Sequence, residues 1–242
     1  MFDLRQRLGL LPKGTKDPLG PKNLAEVAEA QLSWLTQSLA GLIRQGTVTL
    51  ESAQAILAEL REYCPAAIAE VGKLPKGRIE PHHHVLLPVI SRKSIDCRRQ
   101  MAMLVQDKLE GVCRFDEQGL VDSVDLPKAY WCVGFGLTYL ESNGSPATSF
   151  QGRHPALLEE VMAIMLQLNR RQPTWSMPPH VLCTGTKHEG NLLMVVHDRH
   201  RAINPRYVLC YTLYPQLPIG DGRLRGDKIG VGTCYGRVGR GL

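Results

Sequence analysis

Residues 23–64 read NLAEVAEAQLSWLTQSLAGLIRQGTVTLESAQAILAELREYC, and this stretch decides the fold class. Apolar residues recur at helical spacing in two blocks, residues 24–43 and 53–60, which predicts two amphipathic helices. Between the blocks, Gly46 is a natural stop for the first helix and Thr49 a natural cap for the second. The short link predicts that the two helices pack as a hairpin.

Glycine and proline residues on either side of the hairpin set the predicted domain boundaries. Residues 1–22 contain three prolines and three glycines, so we expect an extended arm there. Within the hairpin, Pro65 is expected to end the second helix at Cys64 and to start a further turn. Four more glycines and prolines follow and predict a linker. The hairpin then takes residues 23–72, and residues 73–242 form the α/β body with its basic C-terminal part.

The body alternates short apolar runs with turn residues, which is typical of strands. The predicted strands are residues 85–90, 101–105, 112–115, 131–140, 181–184, 191–197, 207–214 and 229–233. Gly134 and Gly136 in the fourth run predict a bulge or a close backbone approach. Pro155 is the predicted start of one long packed helix, because its fixed φ suits the first helical position. Helices first, then strands around one helix, predict an α+β fold with a mixed, mostly antiparallel sheet.

The composition favours a globular protein over a membrane-spanning or secreted one. Of the 242 residues, 43% are hydrophobic and 21% are charged, and no apolar run reaches the roughly 18–20 residues of a bilayer span. The N-terminus lacks the apolar stretch of an export signal. Seven widely spaced cysteines without a CxxC motif predict reduced thiols. We therefore expect a soluble cytoplasmic protein without a membrane partner.

Positive charge is concentrated in the C-terminal part of the chain. Residues 151–242 carry 12 Lys and Arg against 6 Asp and Glu, whereas the preceding parts are nearly neutral. This asymmetry favours an anionic ligand, a nucleic acid or an acidic protein as partner. The glycine-rich C-terminal backbone is suited to an anion held by Arg223, Arg225, Lys228, Arg237 and Arg240. The alternative is a solvated basic surface, because no phosphate-loop or dinucleotide-binding motif is present.

Two groups of histidine and cysteine residues are candidate metal ligands. His82 and His84 are two residues apart at the start of a predicted strand, so both side chains share a face and suit one zinc ion. The alternative is a polar loop with exposed imidazoles, because two ligands do not specify a site. The second group has spacings that match no common zinc module. It comprises Cys183, His188, His197 and His200, with Cys210 and Cys234 further on.

Cys234 is the candidate for thiol chemistry. It lies in the segment GVGTCYGR, residues 230–237, whose glycines could expose the thiol and bring backbone N–H groups close. Arg237 could lower the pKa of the thiol, as a cysteine nucleophile requires. The alternative is a buried, inert cysteine in a closing strand, because free cysteines are usually packed in the core.

Six short segments, taken in order, carry a resemblance to a known family. They are residues 28–32 (AEAQL), 86–90 (LLPVI), 127–133 (PKAYWCV), 152–157 (GRHPAL), 183–186 (CTGT) and 232–239 (GTCYGRVG). With these segments the chain resembles the bacterial domain-of-unknown-function family 5701. The resemblance implies a soluble intracellular protein. Because that family has no established activity, the resemblance implies no catalytic residues.

Three functions remain open from the sequence. The first, which the charge asymmetry favours, is a non-enzymatic binding or regulatory module that meets an anionic partner through its basic C-terminal part. The second is an enzyme that depends on a metal at His82 and His84 or on the thiol of Cys234. The third is a structural or assembly protein whose helical hairpin packs against a partner.

Overall fold

Two helices precede a set of strands with further helices between them, which confirms the predicted α+β class. The computed structural model describes residues 21–74, 84–105, 110–113, 116–139, 152–170, 180–198, 207–213 and 229–242. Most of the predicted arm and linker therefore lies outside the described residues. The described residues of the whole chain form two compact units. The first lies within Met1–Ile95, Asp125–Gly136 and Cys234–Leu242, and the second within Asp96–Val124 and Leu137–Thr233.

The described elements are four α-helices, one short 3₁₀ helix (Glu117–Gly119) and ten strands. The helices are α1 (Pro21–Arg44), α2 (Leu50–Gly72), α3 (Cys97–Val105) and α4 (Leu158–Arg170). The strands are β1 (His84–Ile90), β2 (Glu110–Cys113), β3 (Leu120–Asp122), β4 (Ala129–Tyr139), β5 (His154–Pro155), β6 (His180–His188), β7 (Asn191–Asp198), β8 (Tyr207–Leu213), β9 (Ile229–Cys234) and β10 (Gly236–Val238). Among the described helices, none combines the length and the apolar character that a membrane span requires.

The hairpin prediction is confirmed, with one correction in its second helix. The Thr49 hydroxyl accepts a hydrogen bond from the Ser52 N–H at 3.2 Å and so caps α2, as predicted. The helix does not end at Cys64, because Pro65 lies inside one continuous helix that runs to Gly72. Pro65 is exposed, and so is Arg61 one turn earlier. The carbonyl that the proline leaves without a helical donor is therefore on a face that water can reach.

The first unit packs the helical hairpin on a small antiparallel sheet in which β4 lies between β1 and β10. Trp131 on β4 is fully buried, and its Nε1–H donates to the Leu60 carbonyl of α2 at 2.7 Å. Gln31 on α1 donates from Nε2 to the Leu86 carbonyl of β1, also at 2.7 Å. These two bonds fix each helix against one strand. The apolar faces of the helices are thereby covered within their own unit.

The close approach predicted at Gly134 is confirmed. Its φ is +62°, and a Cβ atom at this position would lie 2.7 Å from Cδ2 of Tyr235. Tyr235 donates its N–H to the Val133 carbonyl at 2.9 Å, so the C-terminal chain crosses directly over the strand here. Only a residue without a side chain fits this crossing with a positive φ.

The second unit holds a mixed sheet in the order β2-β8-β7-β6-β9. The pairs β6–β7 and β7–β8 are antiparallel, and so is the pairing of β3 with the end of β6. The outer pairs β2–β8 and β6–β9 are parallel. A mixed and mostly antiparallel sheet was predicted, and the pairing of the described strands agrees with it.

The prediction of a strand over residues 101–105 is wrong, because these residues form the second half of α3. The helix begins after Asp96, whose side chain accepts the Arg99 N–H at 2.8 Å and whose carbonyl accepts the Gln100 N–H at 2.9 Å. A short apolar run has no periodicity that distinguishes a helix from a strand. The cap at Asp96 decides for the helix.

The predicted helix after Pro155 exists, but its predicted start is wrong. Pro155 belongs to the short strand β5, and the helix α4 begins three residues later at Leu158. Side chains from two directions satisfy the first helical N–H groups: Glu160 accepts from Leu157 at 2.8 Å, and Thr186 on β6 accepts from Leu158 at 3.0 Å. A tertiary cap therefore sets the start of this helix, and proline does not.

Candidate functional site

The structure places only some of the predicted site residues. His82, Arg223, Arg225 and Lys228 lie outside the described residues. His84 is the first residue of β1, where its backbone is described but its side chain is not. The zinc site predicted at the two histidines therefore stays a prediction. The same is true of three of the five predicted anion-binding residues.

Cys234, the candidate nucleophile, is the last residue of β9 and is fully buried. Arg237 lies on β10 and pairs in register with Cys132 on β4, not with Cys234. The Sγ atoms of Cys132 and Cys234 are within 4.8 Å of each other, and neither cysteine is in a disulfide. The sequence pattern indicated Cys234 alone, and the fold places the thiol of Cys132 beside it.

Of the second predicted metal group, only Cys183, His188 and Cys234 have described side chains. Cys183 is fully buried on β6, and His188 at the end of the same strand is also buried. Burial raises the pKa of the Cys183 thiol, and the nearby carboxylates of Glu159 and Glu160 raise it further. A raised pKa keeps the sulfur protonated, which disfavours both nucleophilic attack and metal binding. The side chains of His197 and His200 lie outside the described residues.

A cleft in the first unit brings charged side chains together from four separate segments of the chain. Its volume is about 600 Å³. Three carboxylates and three cations line it: Glu59, Glu62, Asp125, Lys93, Lys128 and Arg240. The cleft therefore includes one of the five predicted anion-binding residues, in a charge-balanced setting.

One wall of the cleft is a face of α2. Ala55, Ala58, Glu59 and Glu62 follow the spacing that places side chains on one side of a helix. The two alanines leave room at the start of this face, and the two carboxylates follow one turn later. The facing wall is the chain that leads into β4, with Leu126, Pro127 and Lys128.

Arg240, near the C-terminus of the chain, lines a further side of the cleft. Its guanidinium lies 3.6 Å from an Oε atom of Glu62 and 4.0 Å from one of Glu59, so both ion pairs are longer than a hydrogen bond. The hydrogen bond that Arg240 donates to the Tyr63 hydroxyl and the charges of both glutamates raise the pKa of Arg240. The Arg240 side chain is 70% exposed, whereas that of Glu59 is 9% exposed. The cation is thus accessible, and its acidic neighbour is held in the wall.

Lys93 and the loop before β4 form the opposite side. The Lys93 ammonium makes an ion pair with Asp125 and donates to the Leu126 carbonyl at 3.0 Å. The carbonyl of Lys128 accepts from the Ser91 N–H at 3.0 Å and from the Ser94 hydroxyl at 2.9 Å. These bonds hold the backbone of the loop in place. The Lys128 side chain is exposed, and it makes no ion pair with another described residue.

The ion pair with Lys93 shifts the pKa of the Asp125 carboxyl group. The hydrogen bond and the charge of Lys93 lower the pKa of this carboxyl group. A lowered pKa means that the pair stabilises the fold above the pKa of unfolded Asp, about 3.9, and that this contribution is lost as the pH falls through the folded pKa. We expect Lys93→Met to raise the pKa of Asp125, and Lys128→Met to leave it unchanged. Carboxyl NMR titration measures both, and equal pKa values in the wild type and Lys93→Met would contradict the assignment.

Most of the cleft residues had no signal in the sequence. Arg240 was found from the basic composition of the C-terminal part. Glu62 and Lys93 are exposed residues of their segments and Glu59 is a buried residue of α2, and all three are separated from Arg240 by more than 140 positions. The order of residues in the chain contains no signal that would bring these side chains together.

No protein-family model, no curated protein and no solved structure matches this chain.

Proposed function

We propose that this protein is a binding module for an anionic ligand and that the cleft of the first unit takes the ligand against Arg240. The observation that carries the proposal is the accessible Arg240 guanidinium, with its long ion pairs, in a cleft that Lys93 and Lys128 also line. This proposed role is the one that the sequence predicts for the basic C-terminal part. The proposed site contains one arginine of that part, Arg240, and two lysines from elsewhere in the chain.

The charge balance of the cleft indicates the class of ligand. A volume of about 600 Å³ is that of a site for a small molecule. Three cations favour an anion, but three carboxylates repel it unless the ligand also carries hydrogen-bond donors. A phosphate ester with free hydroxyl groups meets both requirements, because its phosphate faces the cations and its hydroxyls donate to the glutamates. Sugar phosphates and nucleotides belong to this class.

Exchange of partners at Arg240 is the proposed binding step. Its two carboxylate neighbours are 3.6 and 4.0 Å away, so a phosphate oxygen at hydrogen-bond distance is a better electrostatic partner. The pair with Glu62 is exposed on both sides, and exposed ion pairs are weak, so its rearrangement costs little. The ligand replaces part of that attraction with bidentate hydrogen bonds to the guanidinium.

The other two functions have less support in the described residues. The nucleophile of a cysteine-dependent enzyme must be reached by an organic substrate, and Cys234 is fully buried. An assembly role for the hairpin needs an uncovered apolar face. Most of the large apolar residues of α1 and α2 are instead buried, and the two helices pack against each other and against β1. We also propose a cytoplasmic location, which seven widely spaced cysteines without a CxxC motif favour.

Calorimetric titration with glucose 6-phosphate, adenosine monophosphate and inorganic phosphate tests the proposal. We expect at least one of the two esters to bind more tightly than inorganic phosphate. Arg240→Gln is expected to weaken ester binding by about 10- to 100-fold, because a hydrogen bond to a charged group contributes roughly 1.5–3 kcal/mol.

Arg61→Gln is the matched control. Arg61 is an exposed arginine on α2 that does not line the cleft, so this variant loses the same charge from the same unit. It is expected to bind the ester as the wild type does. The proposal fails if neither ester binds the wild type, or if Arg240→Gln and Arg61→Gln have the same affinity. Binding of an oligonucleotide that is equally strong in both variants would indicate basic residues outside the cleft.

A further inference from the structure

The thiol pair Cys132–Cys234 is a feature of the first unit that the proposed function does not use. Both side chains are fully buried, and their Sγ atoms lie within 4.8 Å of each other. Neither is in a disulfide. The two residues are 102 positions apart in the chain, so the fold and not local sequence brings them together.

The two cysteines lie close in the chain to two cations of the cleft, Lys128 and Arg240. Cys132 lies on β4, four residues after Lys128. Cys234 precedes the C-terminal segment that carries Arg240, six residues later. That segment is otherwise held to β4 by the short pairing of β10, in which Gly236, Arg237 and Val238 face residues of β4. A covalent link between the thiols would join the same two segments.

We propose that Cys132 and Cys234 form a peroxide-sensitive thiol pair that closes reversibly into a disulfide. In the first step, the thiolate of one cysteine attacks the O–O bond of hydrogen peroxide, which gives a sulfenic acid and releases hydroxide. In the second step, the thiol of the other cysteine attacks the sulfenic sulfur, so that an S–S bond forms and water leaves. Both sulfurs are oxidised, the peroxide is reduced to water, and a dithiol reductant reverses the change.

The burial of both sulfurs selects the oxidant. A buried thiol is out of reach of a bulky disulfide such as oxidised glutathione, whereas hydrogen peroxide is small and uncharged. Either cysteine can make the first attack, because the other then resolves the sulfenic acid.

Peptide mapping after oxidation tests the pair on the full chain without any ligand, so the outcome is independent of the proposed anion binding. Trypsin releases Cys132 in the peptide 129–153 and Cys234 in the peptide 229–237, each with a single cysteine. After treatment with hydrogen peroxide under native conditions, blocking of free thiols and digestion, we expect these peptides to be joined and two hydrogens lighter than their sum. Dithiothreitol should restore both free peptides.

Variants and a second oxidant complete the test. Cys132→Ala and Cys234→Ala should each abolish the joined peptide, and Cys64→Ala, which removes a less buried cysteine of the same unit, should retain it. Oxidised glutathione should produce no adduct on either peptide of the wild type. The proposal is overturned if the wild type yields the two peptides separately after peroxide, whether reduced or overoxidised. It is also overturned if either cysteine is mainly joined to a different one.

Discussion

Trp131→Ala is expected to lower the free energy of unfolding by about 3–5 kcal/mol, the loss typical of truncating a fully buried aromatic side chain. Trp131 is completely inaccessible on β4, and its indole N–H donates to the Leu60 carbonyl at 2.7 Å. The substitution leaves a cavity and also leaves a buried helical carbonyl without this donor. Because α2 forms one wall of the cleft and the chain into β4 forms the other, the same change should loosen both walls.

Denaturant unfolding followed by circular dichroism measures this loss. Trp131→Phe is the matched variant, because it keeps an aromatic ring in the cavity and removes only the donor. Its expected loss is smaller, about 1–3 kcal/mol. If both variants unfold at the denaturant concentration of the wild type, the indole does not connect α2 to β4 as described.

Gly185→Ala in the second unit is expected to cost about 3 kcal/mol. A Cβ at this position would lie 2.7 Å from the Pro155 carbonyl oxygen and 2.8 Å from that of Ala156. Both obstacles are backbone atoms, so no rotamer change relieves the clash, and overpacking of this kind typically costs 1–3 kcal/mol or more. Gly185 also donates its N–H to Ala156 at 2.9 Å and accepts from the Ser123 N–H at 2.8 Å, so a shift weakens these bonds.

Gly236→Ala is the control for this prediction. Gly236 is also in a strand, has no positive φ, and has no atom within 4 Å of the position that a Cβ would take. The same chemical change should therefore alter the stability by well under 1 kcal/mol. Equal melting temperatures for the two variants would show that the approach of residues 155–156 to β6 is not as close as the structure has it.

The elements that the sequence analysis identified are those whose signals are local. The hairpin follows from helical periodicity and the Thr49 cap, and the longer strands follow from apolar runs between turn residues. The errors occur where a local signal competes with a distant partner. Pro155 is a good first residue for a helix, but the Ala156 N–H donates to the Gly232 carbonyl at 2.9 Å, and this contact keeps the chain extended until Leu158.

The candidate site was predictable only in part. Composition indicated Arg240 as one of five basic residues, because an excess of charge is visible in any stretch of sequence. It did not indicate Glu59 or Lys93, which line the same cleft. The thiol pair is a similar case, since Cys234 was a candidate from its glycine-rich surroundings and Cys132 was not.

The sequence by itself therefore determined the α+β class, the helical hairpin and the basic character of the C-terminal part, because each depends on residues that are close in the chain. Only the tertiary structure decided which charges meet in the cleft and which thiols lie together. Those contacts depend on which strands pair: the register of β10 against β4 brings the C-terminal segment beside a strand more than 100 positions earlier. Long-range pairing results from the burial of whole faces, so no short stretch of sequence encodes it.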